Sequence, residues 1–396
     1  MRANLQVSAA SPAPSEPRST SFRSRFFARC RQHLAELLTV WLCLASGPAS
    51  AADPTVAFRS SHIARLAAEI EPGTFLPFAA GLPPGIRDFS QLLAGLRPDG
   101  SSAPAIDTWT DSGQWDPRRK RAYFQGLRQS NRFLSYDAAS NAWREIGLDK
   151  PNAPPRFEKF GHLYGRTALD WKRGHYYRLV GHTLHRYVID DDRWEKFEDG
   201  PVSGYISIDW HYGLDMLVAL AENRLHGFRD GRWMPLVKAA VHGYHSSARY
   251  NPKRGDMLFI GGNHSRRTVD ILTADGQLVH RKDAPFAFSI RSDNLAHDPV
   301  TGNYLVLLDD RILWEYSPDL DEWRVARDMR GAFSDWPFGR HEGIVPIVID
   351  ELDIILWNHG SAARLYRHKS VFSGPEATTS LHTPEIPAGG AVGAQN

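Results

Sequence analysis

Short apolar runs alternate with turn-forming residues along most of this chain. The clearest example is Tyr244–His264, which reads YHSSARYNPKRGDMLFIGGNH. A first run ends in Tyr250-Asn251-Pro252, and a turn follows at Lys253-Arg254-Gly255. A second run, Met257–Ile260, closes on Gly261-Gly262. This order of run, Asx-Pro turn, run and paired glycines predicts a β-hairpin. The turn signal returns at Asp116-Pro117, Asp170-Trp171, Asp209-Trp210, Asp298-Pro299 and, in degenerate form, Asp350-Glu351. Each signal precedes an apolar strand: Ala122–Phe124, Tyr176–Leu179, Met216–Leu220, Tyr304–Leu307 and Ile354–Trp357. A third strand then ends in an aromatic residue and an acidic turn, and a fourth opens with Trp. The examples are Tyr136-Asp137 to Trp143, Tyr187 to Trp194, Phe228 to Trp233 and Tyr316 to Trp323. In the fourth repeat Leu278 stands in the Trp position.

A unit recurring about every 40–50 residues predicts a propeller with one four-stranded sheet per repeat. The sixth repeat supplies only three strands: Ile344–Ile349, Ile354–Trp357 and Arg364–Arg367. Gly73-Thr74-Phe75-Leu76 is similar to the fourth-strand openings Gly231-Arg232-Trp233-Met234 and Asn141-Ala142-Trp143-Arg144. A strand near 73–79 is therefore expected to complete the last blade and close the ring, which leaves no long sheet edge exposed. The expected fold is all-β: a six-bladed β-propeller of four-stranded antiparallel blades. It occupies residues 106–373, and the N-terminal segment 52–105 carries the closing strand.

The hydrophobic strand, the double glycine and the spaced Tyr and Trp resemble the kelch repeat family over roughly residues 70–370. The resemblance implies a kelch-like or galactose-oxidase-like propeller. Galactose oxidases of this kind use copper beside a Tyr–Cys cross-link.

The first residues read differently from the repeats. Residues 1–32 are rich in Arg, Ser and Pro; an apolar run, Leu37–Ala45, and Ala49-Ser50-Ala51 follow. These parts predict a secretory signal in 1–51, cut after about Ala51, and a secreted or periplasmic protein. Retention as an N-terminal anchor is the alternative. The apolar run is too short to span a bilayer, so no stable membrane insertion is expected after cleavage. Both cysteines, Cys30 and Cys43, lie in this segment, so the mature chain lacks the cross-link that copper oxidases need. Losing its six Arg and two Glu takes the whole chain's 47 basic and 45 acidic residues to 41 and 43. A near-neutral protein of this kind offers no footprint for nucleic acid. His62–Glu71 predicts a short amphipathic helix, and the Pro-, Gly-, Ala- and Thr-rich tail 374–396 is expected to be disordered.

In a propeller, loops from strand four to the next strand one share a face with loops from strand two to strand three. That face collects His162, Tyr164, Arg166, Tyr205, His242, Tyr244, His245, Arg249, Arg291, Asp293, Arg340, His341 and Glu342 from the first set. The second set adds His182, Asn263, His264, Arg266, Asn358 and His359. The opposite face receives Arg118, Arg119, Lys120, Lys172, Arg173, Lys253 and Arg254, which read as solvated charge. Trp143, Trp194, Trp233 and Trp323 read as inter-blade packing.

These residue types suit carbohydrate, above all an acidic polysaccharide. β-Elimination at a uronate needs a base and a group that neutralises the developing enolate. Tyr244, His245, Arg249, His162, Tyr164 and His341 are the candidate catalytic residues, with Tyr244 or His245 as base and Arg249 on the carboxylate. Arg166, Tyr205, His264, Arg291, Asn358 and His359 are the candidate substrate-binding residues. Kelch-like polysaccharide lyases use residues of these kinds, so the resemblance implies the same chemistry. A binding module without catalysis is the other reading, with Trp109, Trp115, Tyr205 and Trp336 stacking on sugar rings. Glycoside hydrolysis would need a carboxylate pair, for which Glu342 and Asp293 are the best candidates. A kelch-like sugar mutarotase, served by Glu342 and Arg340, is a further relative in architecture. No cofactor is expected; a divalent metal held by His162, His245, His264 and His341 stays open.

Overall fold

The computed structural model describes residues 54–82, 84, 94–96, 102–105, 113–126, 132–147, 150–154, 165–197, 200–201, 206–290, 293–330, 344–359 and 362–373. The expected signal segment and C-terminal tail lie outside these residues. So do His162, Tyr164, Tyr205, Arg291, His341, Trp109, Trp336, Arg340 and Glu342.

Six four-stranded antiparallel sheets form the blades of a β-propeller. Blade one is Gly113–Asp116, Arg121–Gly126, Arg132–Asp137 and Ala142–Glu145. Blades two to five follow in chain order, with inner strands Thr167–Asp170, Ile206–His211, Ser246–Asn251 and Asn294–His297. Blade six combines Val345–Ile349, Ile354–His359 and Ala362–Tyr366 with Phe75–Pro77, and Phe75 pairs with Tyr366. Inner strands of successive blades contact one another around the axis, and that of blade six meets that of blade one.

Two local devices recur, each in four of the six blades. The first closes the turn between strands one and two. Asp116 accepts from the backbone N–H groups of Arg118 and Arg119, both at 2.9 Å. Asp170, Asn251 and Asp298 accept likewise from N–H groups two or three residues on. These are Asx turns. Blade three departs from the expected signal: Asp209-Trp210 lies inside the strand Ile206–His211. His211 takes the turn role, its Nδ1 accepting from Leu214 N at 3.2 Å.

The second device joins strands three and four. Tyr136 pairs with Trp143, Tyr187 with Trp194, Phe228 with Trp233 and Tyr316 with Trp323. Their ring centroids lie 5.3, 5.0, 5.1 and 4.6 Å apart. Tyr hydroxyls donate to the turn residues Asn141, Asp192 and Asp321. Those three turn residues adopt positive φ, which short polar side chains tolerate. In blade four Leu278 faces Leu272.

Two short helices, α1 (Pro54–Arg59) and α2 (His62–Glu69), precede the blades. Ser61 caps α2 by accepting from Ala64 N, and the helix buries Ile63, Ala64 and Ala67. Among the described residues no helix is long and apolar enough to cross a membrane.

The turn-face arginines are more than solvated charge. Arg119 bridges to Asp190, Arg173 to Asp215 and Arg254 to Asp319, each a turn of the next blade. Such pairs contribute about 0–1 kcal/mol each.

Candidate functional site

Two loops of blade four meet at one end of the propeller. Residues 239–245 lead into its inner strand, and residues 262–268 join its second and third strands. Their approach depends on the double glycine. Gly261 and Gly262 hold φ of 73° and 94°. A Cβ on Gly262 would lie 2.7 Å from the carbonyl oxygens of both His242 and Tyr244. With no Cβ there, Asn263 N donates to Tyr244 O at 2.8 Å, and His242 N donates to Ser265 Oγ at 2.8 Å.

Four rings gather as a result. Tyr244 and His245 lie 4.1 Å apart, His242 and His264 4.6 Å apart, and Tyr244 and His264 6.4 Å apart. His264 is exposed, and the other three are half-buried. His245 carries φ of 61°, an unusual conformation for a side chain of this size. Its Nδ1 lies 3.0 Å from Asn263 Oδ1, so Nδ1 carries the proton in that bond. Burial, then the neighbouring His264, holds the His242 pKa below the usual imidazole value, while Glu222 opposes the shift. His242 therefore presents a neutral ring at neutral pH.

The structure thus brings together Tyr244, His245 and His264 from the candidate set. It adds His242, which the loop assignment placed on this face but did not select. It does not bring Arg249 to them. Arg249 lies four residues past His245 on an extended strand, roughly 13 Å along the chain. It is buried and faces an axial cavity that Tyr244 and His245 do not line. The ring-bearing loops carry two exposed cations, Arg266 and Arg267, and Arg267 donates to Pro285 O. Arg166 and Asn358 are buried within blades two and six, Asn358 completely. His359 ends the second strand of blade six. Asp293 is buried, accepting from Ser289 N at 2.7 Å and Asp309 N at 3.1 Å. Those bonds tie it to the backbone, which accounts for it without glycoside hydrolysis.

The axial cavity measures about 340 Å³ and lies toward the turns between strands one and two. Every blade contributes to it, through Trp115, Trp171, Trp210, Arg249, His297 and Asp350 in turn. Trp115, expected as a stacking platform on the other face, is buried here with its Nε1 donating to Glu351 at 2.7 Å. No sequence feature marked His297, beyond its position before the turn Asp298-Pro299.

Among the described residues one group places metal-type ligands together: Asp298, Glu315 and His368, with ligand atoms within 4.8 Å. It includes none of the expected histidines. Glu315 already accepts from Asn303 Nδ2, Ser370 Oγ and Val371 N at 2.6, 2.5 and 2.8 Å. These bonds read as a clamp that holds residues 368–371 against blade five.

No known family description matches the sequence, and no curated protein matches it. Some solved structures are distantly similar to it. The extracellular domain of BT4673 from B. thetaiotaomicron is 15% identical with a TM-score of 0.43, covering 67% of this chain and 33% of that one. This chain therefore spans about a third of that protein's length. Virginiamycin B lyase from Staphylococcus aureus is 11% identical with a TM-score of 0.43, covering 69% and 87%. A chain of the mitotic checkpoint complex is 10% identical with a TM-score of 0.46, covering 76% and 92%. The class is a six-bladed β-propeller, and it rests on the strand topology.

Proposed function

We propose that this propeller is exported and engages acidic carbohydrate at the blade-four rings Tyr244, His245, His242 and His264. One observation carries the reading: two loops converge to place a phenol and three imidazoles side by side on an accessible face. Such rings offer stacking surface together with donors and acceptors matched to sugar hydroxyls. The neutral His242 ring, whose Nδ1 accepts from Tyr244 N at 3.3 Å, supplies an Nε2–H donor. Tyr244 serves as the base of a β-elimination at a uronate, and His245, whose Nδ1 is held by Asn263 and whose Nε2 is buried, packs beside it. Arg266, in place of the distant Arg249, neutralises the carboxylate.

The test is absorbance at about 235 nm, where unsaturated elimination products absorb, while the purified protein meets a panel of uronic-acid polysaccharides. A rise that is lost in His245→Ala and Tyr244→Phe establishes the lyase. A flat trace, with glycan-array binding lost in the same variants, establishes a binding module instead. Neither signal in the wild-type protein would overturn the proposal.

A further inference from the structure

We infer that the axial cavity is a separate binding site for a small ring-bearing carboxylate. The inference does not rest on the carbohydrate reading, because the cavity lies at the other end of blade four's inner strand.

The first argument is Arg249. Its residue is 8% exposed, and it lines the cavity. No hydrogen bond or ion pair joins its guanidinium to any described residue, and its Nε is buried without an acceptor. A buried cation without a partner is costly. The acids around the cavity are already engaged. Asp209 accepts from the backbone N of Trp210 at 2.9 Å and of Tyr250 at 2.8 Å. Glu351 accepts from Trp115 Nε1 at 2.7 Å and Lys120 Nζ at 2.6 Å. Asp350 meets His297 Nε2 at 2.8 Å. An incoming carboxylate would give Arg249 the two-pronged acceptor that its planar fork fits. Lys253, exposed on the same wall, adds a second positive charge.

His297 supplies the second argument. Asp350 fixes the proton on Nε2, which leaves Nδ1 as a lone pair. That atom is buried and has no hydrogen-bond partner among the described residues, on a residue 4% exposed. A ligand hydroxyl or N–H would satisfy it. The rest of the wall is largely aromatic, from Trp115, Trp171, Trp210, Tyr212 and Tyr250. A volume of about 340 Å³ falls in the range of small-molecule sites. Aromatic walls with a single unpaired guanidinium fit a flat body with one acid group. A fully hydrated anion would leave those walls unfilled.

The experiment titrates the full chain with 4-hydroxybenzoate and indole-3-acetate, followed by tryptophan fluorescence and calorimetry. Neutral 4-hydroxybenzamide and inorganic phosphate are the comparison probes. Saturable binding of at least one acid is expected, with the amide weaker by about tenfold or more. Arg249→Met should weaken the acid by roughly 10- to 100-fold. Lys253→Glu changes an exposed side chain, so it keeps the fold under test; it should weaken the acid by about two- to fivefold. No saturable binding of either acid would overturn the proposal. So would affinity unchanged in Arg249→Met and Lys253→Glu, or phosphate binding as tightly as the acids.

Discussion

At one end of the axis, four polar rings sit on two loops of a single blade; at the other, inner strands of all six blades share a cavity wall. The loops depend on local backbone features: two glycines at positive φ and His245 at 61°. The cavity wall depends on strands whose side chains also pack the blades together. A site of the first kind can change with little effect on the fold. A site of the second kind cannot, because its residues have two tasks.

The largest expected effect tests that contrast at the seam between blades one and six. A Cβ on Gly113 would lie 2.2 Å from Ile347 Cγ1 and 3.0 Å from Val345 Cγ1, both side chains of a neighbouring inner strand. Gly113→Val should destabilise the protein by about 1–3 kcal/mol in urea denaturation, since overpacking forces strands apart. It should also weaken acid binding in the cavity. Carbohydrate binding per folded molecule at the blade-four rings should be unaltered. Wild-type stability in this variant would remove the claim that the wall is shared with the packing.

The same contrast explains what the chain made readable. Blades are legible because each turn carries its own chemistry: Asp116, Asp170, Asn251 and Asp298 satisfy nearby N–H groups without help from the rest of the fold. The blade-three turn begins two residues beyond Asp209, because His211 performs that task and an imidazole in a turn has no distinctive signature. Sorting loops by face brought out Tyr244, His245 and His264, since loop membership follows from strand order. Arg249 and Trp115 were assigned to the wrong end. Strand order does not tell how far along an inner strand a side chain sits, or that the axis is open at that depth. His297 was missed for the same reason.

A moderate effect is expected at His245. Its positive φ is a strain that glycine would not carry. His245→Gly should raise stability by about 0.5–1 kcal/mol while reducing carbohydrate binding. A stability loss would show that the His245 ring supports the fold, and the separation of site from scaffold at this end would fail.

The smallest effect is a change in pH dependence from His242. Its folded pKa lies below the usual imidazole value of about 6.5, owing to burial and then to His264. Below about pH 6.5 the unfolded chain therefore binds more protons at this position than the folded chain. Its contribution is fully present above that pH and is lost as pH falls through the window beneath it. Burial lowers His175, His211 and His226 in the same direction. Asp293 acts oppositely: burial pushes its pKa up to about 7, so its contribution declines as pH rises toward that value. The total slope mixes both signs, and the informative quantity is the difference between two proteins. His242→Asn keeps a polar side chain without the titration. Its urea-denaturation stability should fall less than that of the wild type between about pH 7 and pH 5. Parallel curves would mean that the His242 ring is as well hydrated in the fold as in the unfolded chain. The neutral ring assigned to it in the carbohydrate site would then lose its physical basis.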